Sequence, residues 1–267
     1  MSDSIDYETI TAVQQGTWAT GDFHQIARQN VCMAEALCDV VDPHPGERVL
    51  DIACGSGTAA LVAARRYCEV TGIDYVPELI ERARQRAKAD DLEVEFDVGD
   101  AQALPYPDDS FDVVLSIYGV QFAPDQERAA QEMLRVLRPG GRIGLATPIP
   151  EGWSGDFFAT NAKHMPPPPG LNPPLRWGTD NGLEELLGQD TRSIQSEKRT
   201  AWQYYRSVDH AVGLFLAYFG PAIRASEKSD KEALRQDLNQ VFERYNRASD
   251  GTAIVENTYY LTVGVRA

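Results

Sequence analysis

The stretch RVLDIACGSGTAALVAARRY (residues 48–67) decides the fold. Its first part, RVLDIAC (48–54), is a short apolar run of strand length. TAALVAARRY (58–67) reads as a helix, and between them lies only Gly55-Ser56-Gly57. A strand that turns on two glycines straight into a helix is half of a βαβ unit.

Working outward, the alternation continues. EVTGID (69–74) reads as a strand, and PELIERARQRAKA (77–89) as a helix opened by Pro77 at its first position. EVEFDV (93–98) and FDVVLSIY (111–118) read as strands, the latter apolar on both faces, as a central parallel strand requires. RAAQEMLRVL (128–137) reads as a helix stopped by Pro139-Gly140-Gly141, a structural turn, and RIGLAT (142–147) as the next strand. Strands alternating with helices imply an α/β fold, a parallel sheet with helices on both faces.

Outside this block the pattern changes. Residues 1–43 read as two helices broken around Gly16–Asp22, the second being FHQIARQNVCMAEALCDVV. Residues 151–183 are rich in Pro, Gly, Trp and Asn, and the run Pro166–Pro169 predicts a stiff extended connector. SIQSEKRTAWQYYRS (193–207) alternates like a strand and VDHAVGLFLAYFG (208–220) like a helix. DKEALRQDLNQVFERYNRA (230–248) has one apolar helical face, and TAIVENTYYLTVGVRA reads as a long final strand. The domain plan is an N-terminal helical lid (1–43), a ligand-binding core (44–150), a cap and substrate region around the sixth strand (151–230), and a final helix and strand completing the sheet (231–267).

The net charge of −15, from 40 acidic against 25 basic residues, repels polyanions. Nucleic acid and anionic membrane surfaces are therefore not expected partners. Cys32, Cys38, Cys54 and Cys68 form no CxxC pair and no metal-like spacing with the histidines, so no metal is expected. Free, buried thiols, a polar N-terminus and no long apolar run point to the cytoplasm.

Three acids fall at strand ends: Asp51 at the glycine-rich turn, Asp74 after the second strand and Asp100 after the third. Ligands of open α/β sheets sit outside the carboxyl ends of the strands. Gly55-x-Gly57-x-x-Ala60 matches the dinucleotide fingerprint, so an NAD-dependent oxidoreductase fits the turn taken alone. Carboxylates beside the turn disfavour a pyrophosphate and favour a cationic nucleoside. Four histidines are the candidate bases with ordinary titration near neutrality. His44 sits in a surface-type loop. His164 beside the proline run and His210 at a helix start lie in segments expected to cap the site, and with Tyr118 they are the catalytic candidates. Trp18 with Asp22-Phe23 either forms a lid or anchors the first helix, and the aromatics after residue 150 either form core or line an apolar acceptor pocket.

VLDIACGSGTAALVAA, GIDYVPELIERARQRA, VGDAQALPYPDDSFDVVLSIYGVQFAPD and EMLRVLRPGGRI together resemble the class I S-adenosylmethionine-dependent methyltransferases, in the branch of the ubiquinone and menaquinone methyltransferases. The resemblance spans roughly residues 45–147, and WATGDF (18–23) and WGTDNGLEELLG (177–188) look like uncharacterised bacterial relatives. It implies a Rossmann-like, doubly wound, seven-stranded and mostly parallel sheet, its last strand antiparallel, under a helical cap. It implies S-adenosylmethionine as cofactor, S-adenosylhomocysteine as product, and in-line methyl transfer to a small, partly apolar acceptor. Asp51, Ala53, Gly55 and Gly57 would line the methionine and ribose. Asp74 would bind the ribose hydroxyls, Tyr75 would pack on adenine, and Asp100 with the Ala101 N–H would read its edge. Ser116, Tyr118 and Gln121 would face the sulfonium and acceptor. Cys54 stands where many relatives have Gly. A binding module that holds the cofactor without methyl transfer fits the same motifs. They identify neither an acceptor nor an oligomeric state.

Overall fold

The computed structural model describes residues 5–267. Seven strands form one sheet: β1 (Arg48–Ile52), β2 (Glu69–Asp74), β3 (Glu95–Val98), β4 (Phe111–Ile117), β5 (Leu137–Pro148), β6 (Thr191–Tyr205) and β7 (Ala253–Arg266). Their order is β3-β2-β1-β4-β5-β7-β6. The first five pair in parallel, and β7 runs antiparallel to both β5 and β6. The seven-stranded, doubly wound sheet with an antiparallel last strand is as the sequence implies. Strand order reverses between β1 and β4, and this switch point is where such sheets hold ligands.

Eleven α-helices surround the sheet among the described residues: α1 (Tyr7–Trp18), α2 (His24–Ala27), α3 (Val31–Val41), α4 (Thr58–Ala64), α5 (Pro77–Ala89), α6 (Gln126–Val136), α7 (Gly152–His164), α8 (Asp180–Leu187), α9 (Val208–Tyr218), α10 (Gly220–Lys228) and α11 (Lys231–Tyr245). One sheet face packs on α3, α4 and α5 through Leu37, Leu61, Ile80, Val113 and Leu115. The other packs on α6 and α8 through Ile52, Val114, Met133, Leu145 and Leu183. A third apolar cluster joins α7, α9, α10 and α11 above the strand ends. In it Trp153 stacks on Phe157 at 4.8 Å, Phe215 meets both edge-on, and Phe242 meets Trp153 and Phe215 edge-on or tilted. The aromatics Trp153, Phe157, Phe215 and Phe242 are therefore core of the cap.

Local sequence explains most boundaries. Side-chain oxygens of Asp125, Thr179, Ser207 and Asp230 accept from backbone N–H groups in the first turns of α6, α8, α9 and α11. Pro77 opens α5 as expected.

Several expectations need correction. The second N-terminal helix is two, α2 and α3, broken at Arg28–Asn30. Met33, Leu37 and Cys38 of α3 are wholly buried against the sheet, so residues 31–41 pack as part of the core. Helix α11 packs on α7, α9 and β7, and β7 enters the sheet between β5 and β6. The Pro139-Gly140-Gly141 turn lies within β5, where pairing with β4 jumps from Phe111↔Leu137 to Val113↔Arg142. Cys32 is exposed, while the other three cysteines are buried and all four are free. In the run Pro166–Pro169 the first three residues lie outside helix and strand and Pro169 enters a turn. Among the described residues no helix is long and apolar enough to cross a membrane.

Candidate functional site

The glycine-rich turn is built from the residues that surround it. Ala53, Gly55 and Gly57 all take left-handed backbone angles (φ 51°, 55° and 78°). At Gly57 an added Cβ would also meet the Phe96 ring at 3.0 Å, so position 57 admits only glycine. Gly57 caps α4 but has no side chain to accept an N–H bond. Asp51 fills that role from the end of β1, accepting from the Ala60 N–H at 2.9 Å. Tyr118, at the end of β4, is also left-handed (φ 47°). Strained backbone thus sits at both strands of the switch point, as functional sites often show.

Asp74 ends β2 and ties the turn to it. Its Oδ2 accepts from the Gly55 N–H and its Oδ1 from the Val76 N–H, both at 2.9 Å. Each oxygen keeps a further lone pair. Burial pushes the Asp51 carboxyl up to about 7 and the Asp74 carboxyl up to about 6. In each case backbone N–H bonds oppose the rise, and the charge of Asp74 adds to that of Asp51. Asp100, after β3, accepts from the backbone and side-chain nitrogens of Gln102. Gln102 in turn bonds Thr11 of α1 and takes the Asp125 N–H.

These residues converge on one cleft across the strand ends. Asp51, Ala53, Gly55, Asp74, Tyr75, Asp100, Ala101 and Tyr118 all line it. Gly57 and Ser116 do not. Ser116 is buried, donating to the Ile52 carbonyl at 2.7 Å and accepting the Val120 N–H at 3.0 Å. It locks β4 to β1 and shapes the following turn instead of facing a ligand.

The expected histidine candidates lie elsewhere. His164 is held between Asp237 (2.7 Å) and Ser229 (3.3 Å), an α7–α11 tie outside the cleft. His210 Nδ1 accepts the Arg206 N–H at the start of α9. Of the three catalytic candidates only Tyr118 lines the cleft. Burial pushes its phenol up to about 12, and its hydroxyl donates to Asn257 Oδ1 at 3.3 Å.

Sequence reasoning gave no role to Asn30, which is buried and lines the cleft beside Phe23 and Ala27. His24 was one histidine among four, yet its Nδ1 lies 3.0 Å from the Ser56 hydroxyl on the turn. Burial and the nearby Arg86 hold its ring below the usual histidine range. An asparagine between two short helices has no motif that marks it. Trp18 lines the cleft and anchors the end of α1. It packs on Phe122 (4.8 Å), Phe23 and Phe219 (5.5 Å each).

A second cavity, of about 860 Å³, adjoins the first and shares Trp18, Phe122, Ala123 and Pro124 as its wall. Helices α1, α7 and α10 and the proline-rich segment 165–175 enclose it. Gln126 Nε2 holds that segment through the carbonyls of Asn172 and Pro173, at 3.2 Å each.

Comparison with known proteins gives the same picture. A family profile described as "Methyltransferase domain" matches residues 50–145. An uncharacterized protein of Mycobacterium tuberculosis is 34% identical over 237 residues, covering 87% of this chain and 86% of its own. The demethylmenaquinone methyltransferase of Deinococcus radiodurans is 41% identical over 138 residues, covering 50% of this chain and 55% of its own. Among solved structures, the YcgJ protein of Bacillus subtilis superimposes with a TM-score of 0.61 at 23% identity. That match covers 88% of this chain and 98% of its own, and it is a likeness of fold.

Proposed function

The chain belongs to the class I S-adenosylmethionine-dependent methyltransferases, and from that premise we propose that the cleft at the switch point holds S-adenosylmethionine and the adjoining cavity a small, partly apolar acceptor. One observation carries the reading. Asp51 and Asp74, two buried carboxylates at adjacent strand ends, face one cleft, and their partners among the described residues are backbone N–H groups and not cations. A cationic nucleoside with ribose hydroxyls supplies the partners these acids lack. The donor set therefore fits the cofactor.

When bound, the cofactor supplies a sulfonium methyl group; the acceptor's nucleophile forms the new bond, the sulfur keeps the electron pair, and S-adenosylhomocysteine is left. The protein's part is to orient and to exclude water. Asp74 would take the ribose hydroxyl protons on the lone pairs that Gly55 and Val76 leave free. Asp51 would face the ammonium of the methionine part. Asp100, with the Ala101 N–H, would read the adenine edge, and Tyr75 would pack on its face. The backbone of Ala53 and Gly55 would give close approach, while Gly57 shapes the turn behind them. Tyr118 stays protonated at neutral pH, and with its proton given to Asn257 Oδ1 it is not a base. Trp18 would separate the reacting centre from solvent. Four unpaired cysteines fit a reducing compartment, and the cytoplasm is the proposed location.

The raised carboxyls give the reading a pH signature. A carboxyl whose folded pKa lies above its unfolded value stabilises the fold at low pH, and that contribution is lost as pH rises through the folded pKa. For Asp51 and Asp74 the loss runs from about pH 4 to about 7. Ligand-free protein is therefore expected to melt lower at pH 8 than at pH 5. A cationic ligand favours the ionised acids, so S-adenosylmethionine should bind about tenfold more tightly at pH 7.5 than at 5.5 and release protons. Calorimetry in buffers of different ionisation enthalpy reads both. Affinity flat across this range, with no proton release, would contradict the assignment of the two acids.

A further inference from the structure

The second cavity differs in character from the rest of this protein. In a chain with 40 acidic and 25 basic residues, none of the described residues lining it is Asp or Glu, and two, Arg224 and Lys228, are basic. Pro221, Arg224 and Lys228 are spaced three and four apart on α10, so one helical face presents all three to the cavity. Arg224 shares its charge with Glu227 at 3.0 Å in an exposed pair, while Lys228 forms no ion pair among the described residues.

Between this rim and the shared wall the lining is mostly apolar. Phe158, Ala159, Ala162 and Met165 come from α7 and its end, and Ile10, Val13 and Trp18 from α1. The five prolines 166–168, 173 and 174 add rings and no N–H donors.

At the wall the polar groups are of another kind. Gln121 is 1% exposed, lines the cavity, and neither its Nε2 nor its Oε1 has a hydrogen-bond partner. Asn161 gives its Nδ2 to the Phe157 carbonyl, but its Oδ1 is also buried and unpartnered. Leaving such groups unpaired is costly, so a ligand that pairs them recovers that energy. Phe219 packs on Trp18 at the wall, and α10 carries Lys228 about 13 Å further along its axis, at 1.5 Å per residue.

We propose that the acceptor is an elongated apolar acid: a hydroxyl or carbonyl group meets Gln121 beside the cofactor cleft, an aliphatic or aromatic body fills the cavity, and a carboxylate or phosphate lies at Arg224 and Lys228. The proposal rests on the methyltransferase reading for the identity of the neighbouring cleft, but the binding of the acid itself does not depend on it.

The test is calorimetric titration of the full chain, alone and loaded with S-adenosylhomocysteine. The probes are decanoate, decyl phosphate, decanol and decyltrimethylammonium, with S-adenosylhomocysteine titrated in parallel. The expected result is that one or both acids bind about tenfold more tightly than decanol and that the ammonium binds least. Which acid leads identifies the head group. The double variant Arg224→Gln/Lys228→Gln should lose the preference for acid and keep its affinity for S-adenosylhomocysteine. Gln121→Met, near in shape but without the amide, should bind decanoate as before yet lose a preference for 9-oxodecanoate over decanoate. Equal binding of acid and alcohol, preference for the ammonium, or a preference that survives the double variant would overturn the proposal. If S-adenosylhomocysteine binds and the acids do not, only this inference falls. If the acids bind and S-adenosylhomocysteine does not, only the cofactor reading falls.

Discussion

Asp74→Ala is expected to weaken S-adenosylmethionine binding by a hundredfold or more. The carboxylate does two things at once. It holds the glycine-rich turn through the Gly55 N–H and the segment after β2 through the Val76 N–H, both at 2.9 Å. It also presents the acceptors proposed for the ribose. Charge-assisted hydrogen bonds contribute about 1.5–3 kcal/mol each, and two such bonds to the ribose alone reach about a hundredfold in affinity. The ligand-free fold should suffer less than the affinity does, because alanine removes a buried charge together with its bonds. Asp74→Asn separates the two roles. An amide has one acceptor oxygen, yet both oxygens of Asp74 receive an N–H, so the new NH₂ must face a backbone donor. The turn should loosen, and affinity should fall about tenfold or more. Wild-type affinity in Asp74→Ala would show that the ribose sits elsewhere.

The second large effect is expected at Trp18. This side chain is 9% exposed, touches Phe23, Phe122 and Phe219, and belongs to the wall of both cavities. Truncating a buried tryptophan to alanine costs about 3–5 kcal/mol. At about 2–4 °C per kcal/mol for a chain of this size, Tm should fall by roughly 10 °C. The gap would also widen the second cavity at the wall it shares with the cleft, so Trp18→Ala should blur the discrimination between acid and alcohol probes. Trp18→Phe should restore most of the stability. A fall of only about 1 °C in Trp18→Ala would mean that α1 is a loosely attached lid and that Trp18 anchors nothing.

The core was legible because its physics is local. A parallel strand buried on both faces must be apolar throughout, and a turn that a ligand approaches must be glycine. β2 and α5 accordingly begin and end at the residues their pattern indicates. The acids at the strand ends were legible for the same reason. Other features depend on the tertiary fold. GWSGDFFATNAKH has no single apolar face, because α7 is packed by α10, α11 and β7 together. The burial of α3 depends on β5 and β7, about a hundred and more than two hundred residues away. The family resemblance alone puts Ser116, near the end of β4, at the sulfonium. Only the fold reveals that its hydroxyl is spent on Ile52 and Val120. His164 and His210 illustrate the converse: segments that cap a site carry residues that serve the cap's own packing. Asn30 and the unpaired amide of Gln121 belong to no motif, and burial alone makes them noticeable.

The central claim is that the cleft at the switch point is built for an adenosyl cation and not for a dinucleotide. Isothermal titration of the purified chain with S-adenosylmethionine, S-adenosylhomocysteine and NAD tests it most directly. Binding of both adenosyl compounds at micromolar or better affinity, with NAD at least a hundredfold weaker, is the predicted result. No heat with either adenosyl compound, or tighter binding of NAD, would contradict it.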